Sequence, residues 1–147
     1  MPLSFALKEL RSRNAAVTAL YRDWAWHLPP GPVTRLTASI AGQRQDLSKT
    51  LGEIAADRGL PEVEVEFDGG PESGSELGPG AASLADPKAI LKKVAETEAF
   101  DHELLAAIAG AVLAASSPIA ERLASEAASA RKRSIWAQDQ LDLLSML

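Results

Sequence analysis

Between Lys88 and Ala115 the residues Leu91, Val94, Leu105, Ile108 and Val112 recur at helical spacing, and two acids, Glu98 and Asp101, continue that stripe midway along it. Residues three and four apart share one face of a helix. A helix here therefore turns two carboxylates toward its own core. Buried carboxylates cost several kcal/mol each unless a cation or hydrogen-bond donors meet them, an effect of roughly 3–5 kcal/mol when one partner is removed. Any fold for this chain has to place something opposite Glu98 and Asp101.

The rest of the chain predicts three further long helices. The first spans about 4–27, with Ser4 as its cap, and stops at Leu28-Pro29-Pro30-Gly31. Its inward stripe reads Leu7, Leu10, Asn14, Val17, Tyr21, Trp24. The second runs over about 32–58, with Pro32 at its first position and Gly59 just past its end. Its stripe reads Val33, Leu36, Ile40, Gln43, Leu47, Leu51, Ile54, with Asp46 one turn beyond Gln43. The third covers about 87–115 behind Asp86-Pro87. The fourth covers about 118–146 behind Ser117-Pro118, with Glu121 near its positive end and Arg133 on its stripe. Residues 60–86 differ in kind. Pro61 to Phe67 alternates apolar and acidic residues like an extended segment, and Asp68 to Gly80 has loop composition.

At 147 residues and 46% apolar content, a single domain, 1–147, with a real core is expected. A net charge of -5 argues against nucleic acid as partner. The chain has no cysteine, so it offers no disulfide or thiol nucleophile. No leader-like or membrane-spanning segment is visible, and a cytoplasmic protein without membrane contact is expected. With two histidines and no phosphate-cradling loop, no catalytic residues can be named.

The four helices are each about 40 Å long at 1.5 Å per residue. Tight breaks make hairpins of helices 1–2 and 3–4. The long middle link, which could reach about 90 Å if extended, allows helices 2 and 3 to run parallel. In that topology Asn14, Gln43, Asp46, Glu98, Asp101 and Arg133 fall at one level; an up-down order scatters them. The fold class expected is therefore an all-α four-helix bundle with a long crossover.

Two long-helix hairpins joined by a crossover resemble the ferritin-like superfamily, rubrerythrin-type bundles included, over nearly the whole chain. The resemblance implies a pair of iron or manganese ions. A Glu from helices 1 and 3 and a Glu-x-x-His pair from helices 2 and 4 would hold them. At those places this chain has Asn14, Gln43-x-x-Asp46, Glu98 and Ala130-x-x-Arg133, or Glu126-x-x-Ser129 in a shifted register. Neither histidine is present. The expectation is a degenerate, metal-free polar layer in which Arg133 pairs with Glu98 or Asp101. A surviving iron or manganese site would draw on Glu98, Asp101, His102 and Glu126.

His102 reads as a boundary residue, His27 as a helix-end imidazole, and Tyr21 and Trp24 as core aromatics. Arg131 and Lys132 read as solvated. Trp26 and Trp136 are candidates for exposure or a homodimer contact. The function expected is binding or structural. The alternatives are an iron or manganese oxidase or storage protein, a bundle holding a small apolar ligand beside Ala106, Ala109 and Ala127, and a partner-protein-binding bundle.

Overall fold

The computed structural model describes residues 1–68 and 86–147. Four helices account for most of them: α1 Leu3–His27, α2 Pro32–Ala55, α3 Pro87–Val112 and α4 Ser117–Ser145. They form an all-α four-helix bundle. α1 packs closely on α2, and α3 on α4. Between the hairpins, α1 touches α3 and α2 touches α4.

The helices keep a seven-residue apolar repeat, which is what near-aligned helix packing requires. α1 buries Leu3, Leu7, Leu10, Asn14, Val17, Tyr21 and Trp24. α2 buries Val33, Thr37, Ile40, Arg44, Leu47, Leu51 and Ile54. On α3, Leu91, Val94, Glu98, Asp101, Leu105, Ile108 and Val112 face inward. The small residues Ala127, Ala130 and Ala137 of α4 let that helix lie close to α3.

The buried apolar residues fall into two clusters. One gathers Leu3–Leu10, Leu47–Ile54, Leu104–Val112 and Ile119–Ala130. The other gathers Val17–Leu28, Val33–Ala41, Ile90–Ala95 and Ala137. Both α2 and α3 begin in the second cluster and end in the first, so they run parallel. α2 therefore ends, and α3 begins, at opposite ends of the bundle. This is the crossover topology.

The extended segment appears where the alternation placed it. The amide of Leu3 donates to the Val63 carbonyl (2.9 Å) and the amide of Val65 to the Met1 carbonyl (2.7 Å), making an isolated antiparallel bridge between Pro2 and Glu64. Val65 is buried, while Glu62, Glu64 and Glu66 face out. Phe67 then meets Phe100 edge-on, with ring centroids 5.3 Å apart. The loop expected over Asp68–Gly80 lies, beyond Asp68, outside the described residues.

Several helix ends differ from the expected ones. α1 starts at Leu3 without a side-chain cap, because Ser4 is already helical and its hydroxyl donates to Glu62 (2.8 Å). α2 stops at Ala55 and α3 at Val112, each about one turn early. Ser116, not Ser117, caps α4, accepting from the Ile119 amide at 3.4 Å, and Glu121 lies beyond the first turn. Asp86 caps α3 by accepting from the Lys88 amide (3.0 Å). Among the described residues no helix is long and apolar enough to cross a membrane.

A candidate functional site in the bundle interior

The two apolar clusters are separated by a layer of buried polar side chains. α3 supplies Glu98 and Asp101, α1 supplies Asn14 and Tyr21, α2 supplies Arg44 and α4 supplies Arg133. Arg13 reaches in from the α1–α3 seam.

Every carboxylate oxygen in this layer is engaged. The Oε2 atom of Glu98 accepts from Arg44 Nε (3.0 Å) and Nη2 and from the Tyr21 hydroxyl (2.8 Å); its Oε1 accepts from Arg133 Nε. Asp101 accepts from Arg44 Nη2 on Oδ2 and from Arg13 Nε on Oδ1. Arg44 also donates to Asn14 Oδ1 (3.0 Å), and the Asn14 amide returns a bond to the Arg44 carbonyl (2.9 Å). Arg133 Nη1 donates to Gln43 Oε1 at 3.3 Å. The Arg13 guanidinium also lies over the Phe100 ring, 4.4 Å from its centroid. Three guanidiniums thus surround two carboxylates.

The electrostatics follow from this crowding. Burial pushes the Glu98 carboxyl up, but Arg44 and Arg133 more than offset it and hold the group below the usual carboxylate range. Burial works against the charged form of Arg44 as well, and Glu98 and Asp101 reverse that, so its pKa is raised. Tyr21 is pushed well above its ordinary value by burial and by the Glu98 carboxylate, against a smaller pull from Arg44. Burial also lifts the Glu126 carboxyl, with Arg133 and Arg122 pulling it down and Asp46 pushing it up.

Two expected outcomes arise here. Tyr21 is the only tyrosine in the chain, so phenolate absorbance reports it alone. The native protein should show no tyrosine ionisation as pH passes 10. The signal should appear together with loss of helix, because the folded state holds the proton and loses stability as pH rises. At the acid end the sign is opposite. Glu98 has a depressed folded pKa, so its contribution is present above about pH 4.3, the unfolded value, and is lost as pH falls through the folded one. Denaturant midpoints between pH 7 and pH 3 should fall in the native chain and fall less in Glu98→Gln.

The layer differs in part from the one expected. Asn14, Glu98, Asp101 and Arg133 occupy it. Gln43 sits half-buried at its edge and Asp46 is exposed. Arg44, two residues before Asp46, takes the inward position. The signal for it was the unbroken alternation of four- and three-residue steps through Val33, Thr37, Ile40, Arg44, Leu47, Leu51 and Ile54. Gln43 satisfies the spacing to Ile40 and Leu47 equally well, so polarity alone could not choose between them. Arg13 and the Tyr21 hydroxyl had no such signal, because their roles depend on which helices become neighbours.

The four residues named for a surviving metal site do not converge. Glu98 and Asp101 share the layer. The His102 ring is half-buried and donates from Nδ1 to the Ala127 carbonyl (2.8 Å), while Glu126 lines a surface groove between α2 and α4. No group of three or more metal-ligating side chains occurs among the described residues. The donor set does not fit a di-metal centre: all four acid oxygens already hold guanidinium or phenol donors, and a dication would meet three guanidiniums, those of Arg44 and Arg133 fully buried.

Of the three alanines named beside a possible apolar ligand, Ala106 faces solvent while Ala109 and Ala127 lie in the packed core. His27 ends α1, donating from Nδ1 to the Asp23 carbonyl (2.8 Å). Tyr21 and Trp24 are buried and stacked, with centroids 5.8 Å apart, whereas Trp26 is 85% and Trp136 47% exposed. No known protein family matches the chain, and neither a curated protein nor a solved structure is significantly similar to it.

Proposed function

We propose that this chain is a ferritin-like bundle in which a guanidinium–carboxylate layer takes the position of a carboxylate-bridged metal pair, and that it serves as a binding or structural scaffold rather than an enzyme. The observation that carries this reading is the full engagement of Glu98 and Asp101 by Arg13, Arg44, Arg133 and Tyr21. Metal chemistry needs carboxylate oxygens that can turn toward an ion, and open positions for substrate. Here the same oxygens join all four helices. The topology, with α2 and α3 parallel, supports the ferritin-like reading. The exposed Trp26 and Trp136 support a homodimer.

The test is metal content after incubation of the purified chain with iron(II) or manganese(II) and removal of excess by gel filtration. The expected result is far less than one ion per chain. Stoichiometric metal in the native chain that disappears in Glu98→Ala would overturn the proposal in favour of an iron or manganese oxidase or storage protein.

A further inference from the structure

A groove of about 480 Å³ runs between α1 and α2, lined by Arg22, Ala25, Trp26, Thr34, Ala38, Ala41 and Gly42. Trp26 stands at its rim with 85% of its surface exposed. A tryptophan buries some 150–250 Å² when covered, so this is a large apolar surface left open beside a shallow floor of small side chains.

Along the same side of α2, turned away from the core, Arg35, Ala38, Gly42 and Asp46 follow one another at three- and four-residue steps, all exposed. Arg35 and Asp46 make no ion pair among the described residues. The order of charges is antisymmetric about the middle of this stripe: positive one turn before Ala38, negative one turn after Gly42.

We infer that this face is the dimer interface, with the α2 helices of two copies laid antiparallel across a two-fold axis between Ala38 and Gly42. One rotation then sets Arg35 against the partner's Asp46 and Asp46 against the partner's Arg35. A parallel arrangement opposes like charges instead. The stretch from Thr34 to Lys49 is about 23 Å long at 1.5 Å per residue. With Trp26 and Arg22 beside it, that length suits the roughly 800 Å² per copy of an ordinary stable interface.

Gly42 fits this placement. A glycine inside a helix is less favourable than an alanine. A Cβ on Gly42 would meet nothing within 4 Å, so the packing of its own chain does not require glycine there. A second backbone crossing at that point would gain from its small size. The inference rests on reading the chain as an assembling bundle and is independent of what occupies the interior.

Sedimentation equilibrium of the full chain should give twice the 15.5 kDa chain mass. Arg35→Asp should weaken association at least about tenfold, since it turns two attractive pairs repulsive. Adding Asp46→Arg should restore it. Both residues are exposed, so circular dichroism should show unchanged helix. The chain has no cysteine, so Arg35→Cys combined with Asp46→Cys gives a clean second measurement. The two sites lie about 16 Å apart on one helix, too far for a bridge within a copy, and oxidation should yield a covalent dimer. A monomeric native chain at about 100 μM, above the range of a standard interface, overturns the inference. So does a dimer that ignores Arg35→Asp and forms no crosslink. A chain that binds stoichiometric iron yet crosslinks overturns the proposed interior alone.

Discussion

Glu98→Ala should lower the unfolding free energy by about 3–5 kcal/mol, measured by urea or guanidinium denaturation at pH 7. In the native chain two buried guanidiniums, Arg44 and Arg133, and the half-buried Arg13 share two carboxylates. Removing Glu98 leaves Arg133 without a carboxylate and Arg44 with Asp101 as its one acid, and sets three cations against Asp101 alone. An uncompensated buried charge is among the costliest single defects a domain can carry, and whole domains are stable by only about 5–15 kcal/mol. Arg44→Met should cost less, although the Arg44 side chain makes as many hydrogen bonds as Glu98. Its removal leaves two acids and two guanidiniums, still paired as Glu98 with Arg133 and Asp101 with Arg13. A loss below about 1 kcal/mol in Glu98→Ala, the level of an exposed ion pair, would show that water reaches the layer.

The complementary experiment removes the layer as a unit. Replacing Asn14→Leu, Tyr21→Phe, Arg44→Met, Glu98→Leu, Asp101→Leu and Arg133→Met together should leave stability unchanged or raise it by up to about 4 kcal/mol. Each charge in the layer is desolvated, and their mutual attraction returns that cost only in part. Apolar side chains of similar size join the two flanking clusters into one core without the cost. Arg13, at the α1–α3 seam, can carry its guanidinium out to water on its aliphatic stem. If the multiple variant instead loses several kcal/mol, the layer is a net source of stability. If it gains stability but its amide spectrum shows more than one set of resonances, the layer serves to fix the alignment of one hairpin against the other. That is the role a polar contact can play where apolar stripes slide freely.

The helices were legible because their signals are local. Proline breaks, the Asp86 cap and apolar repeats act within a few residues and survive any tertiary arrangement. The same holds for the extended Pro61–Phe67 piece, whose alternation gives it one buried face. The helix ends moved by up to a turn, since they depend on what each last turn meets; Ser4, drawn to Glu62 instead of capping, is the clearest case. The crossover was legible as a length that permits it and as a topology that brings the polar residues of four helices to one level. Its direction is seen in the shared placement of α2 and α3 between the two apolar clusters.

The sequence by itself determined that two acids of α3 enter the core, because Glu98 and Asp101 sit on an unbroken apolar stripe. The level of Arg133 on α4 pointed to one partner, and it does pair with Glu98; the tertiary structure decided the others. Gln43 and Arg44 differ by about 100° around one helix, and the packing of α2 against both α1 and α4 selects Arg44 for the interior. Arg13 and the Tyr21 hydroxyl reach Asp101 and Glu98 across the α1–α3 seam. A charge's partner is a neighbour in space, and no spacing along one helix specifies it.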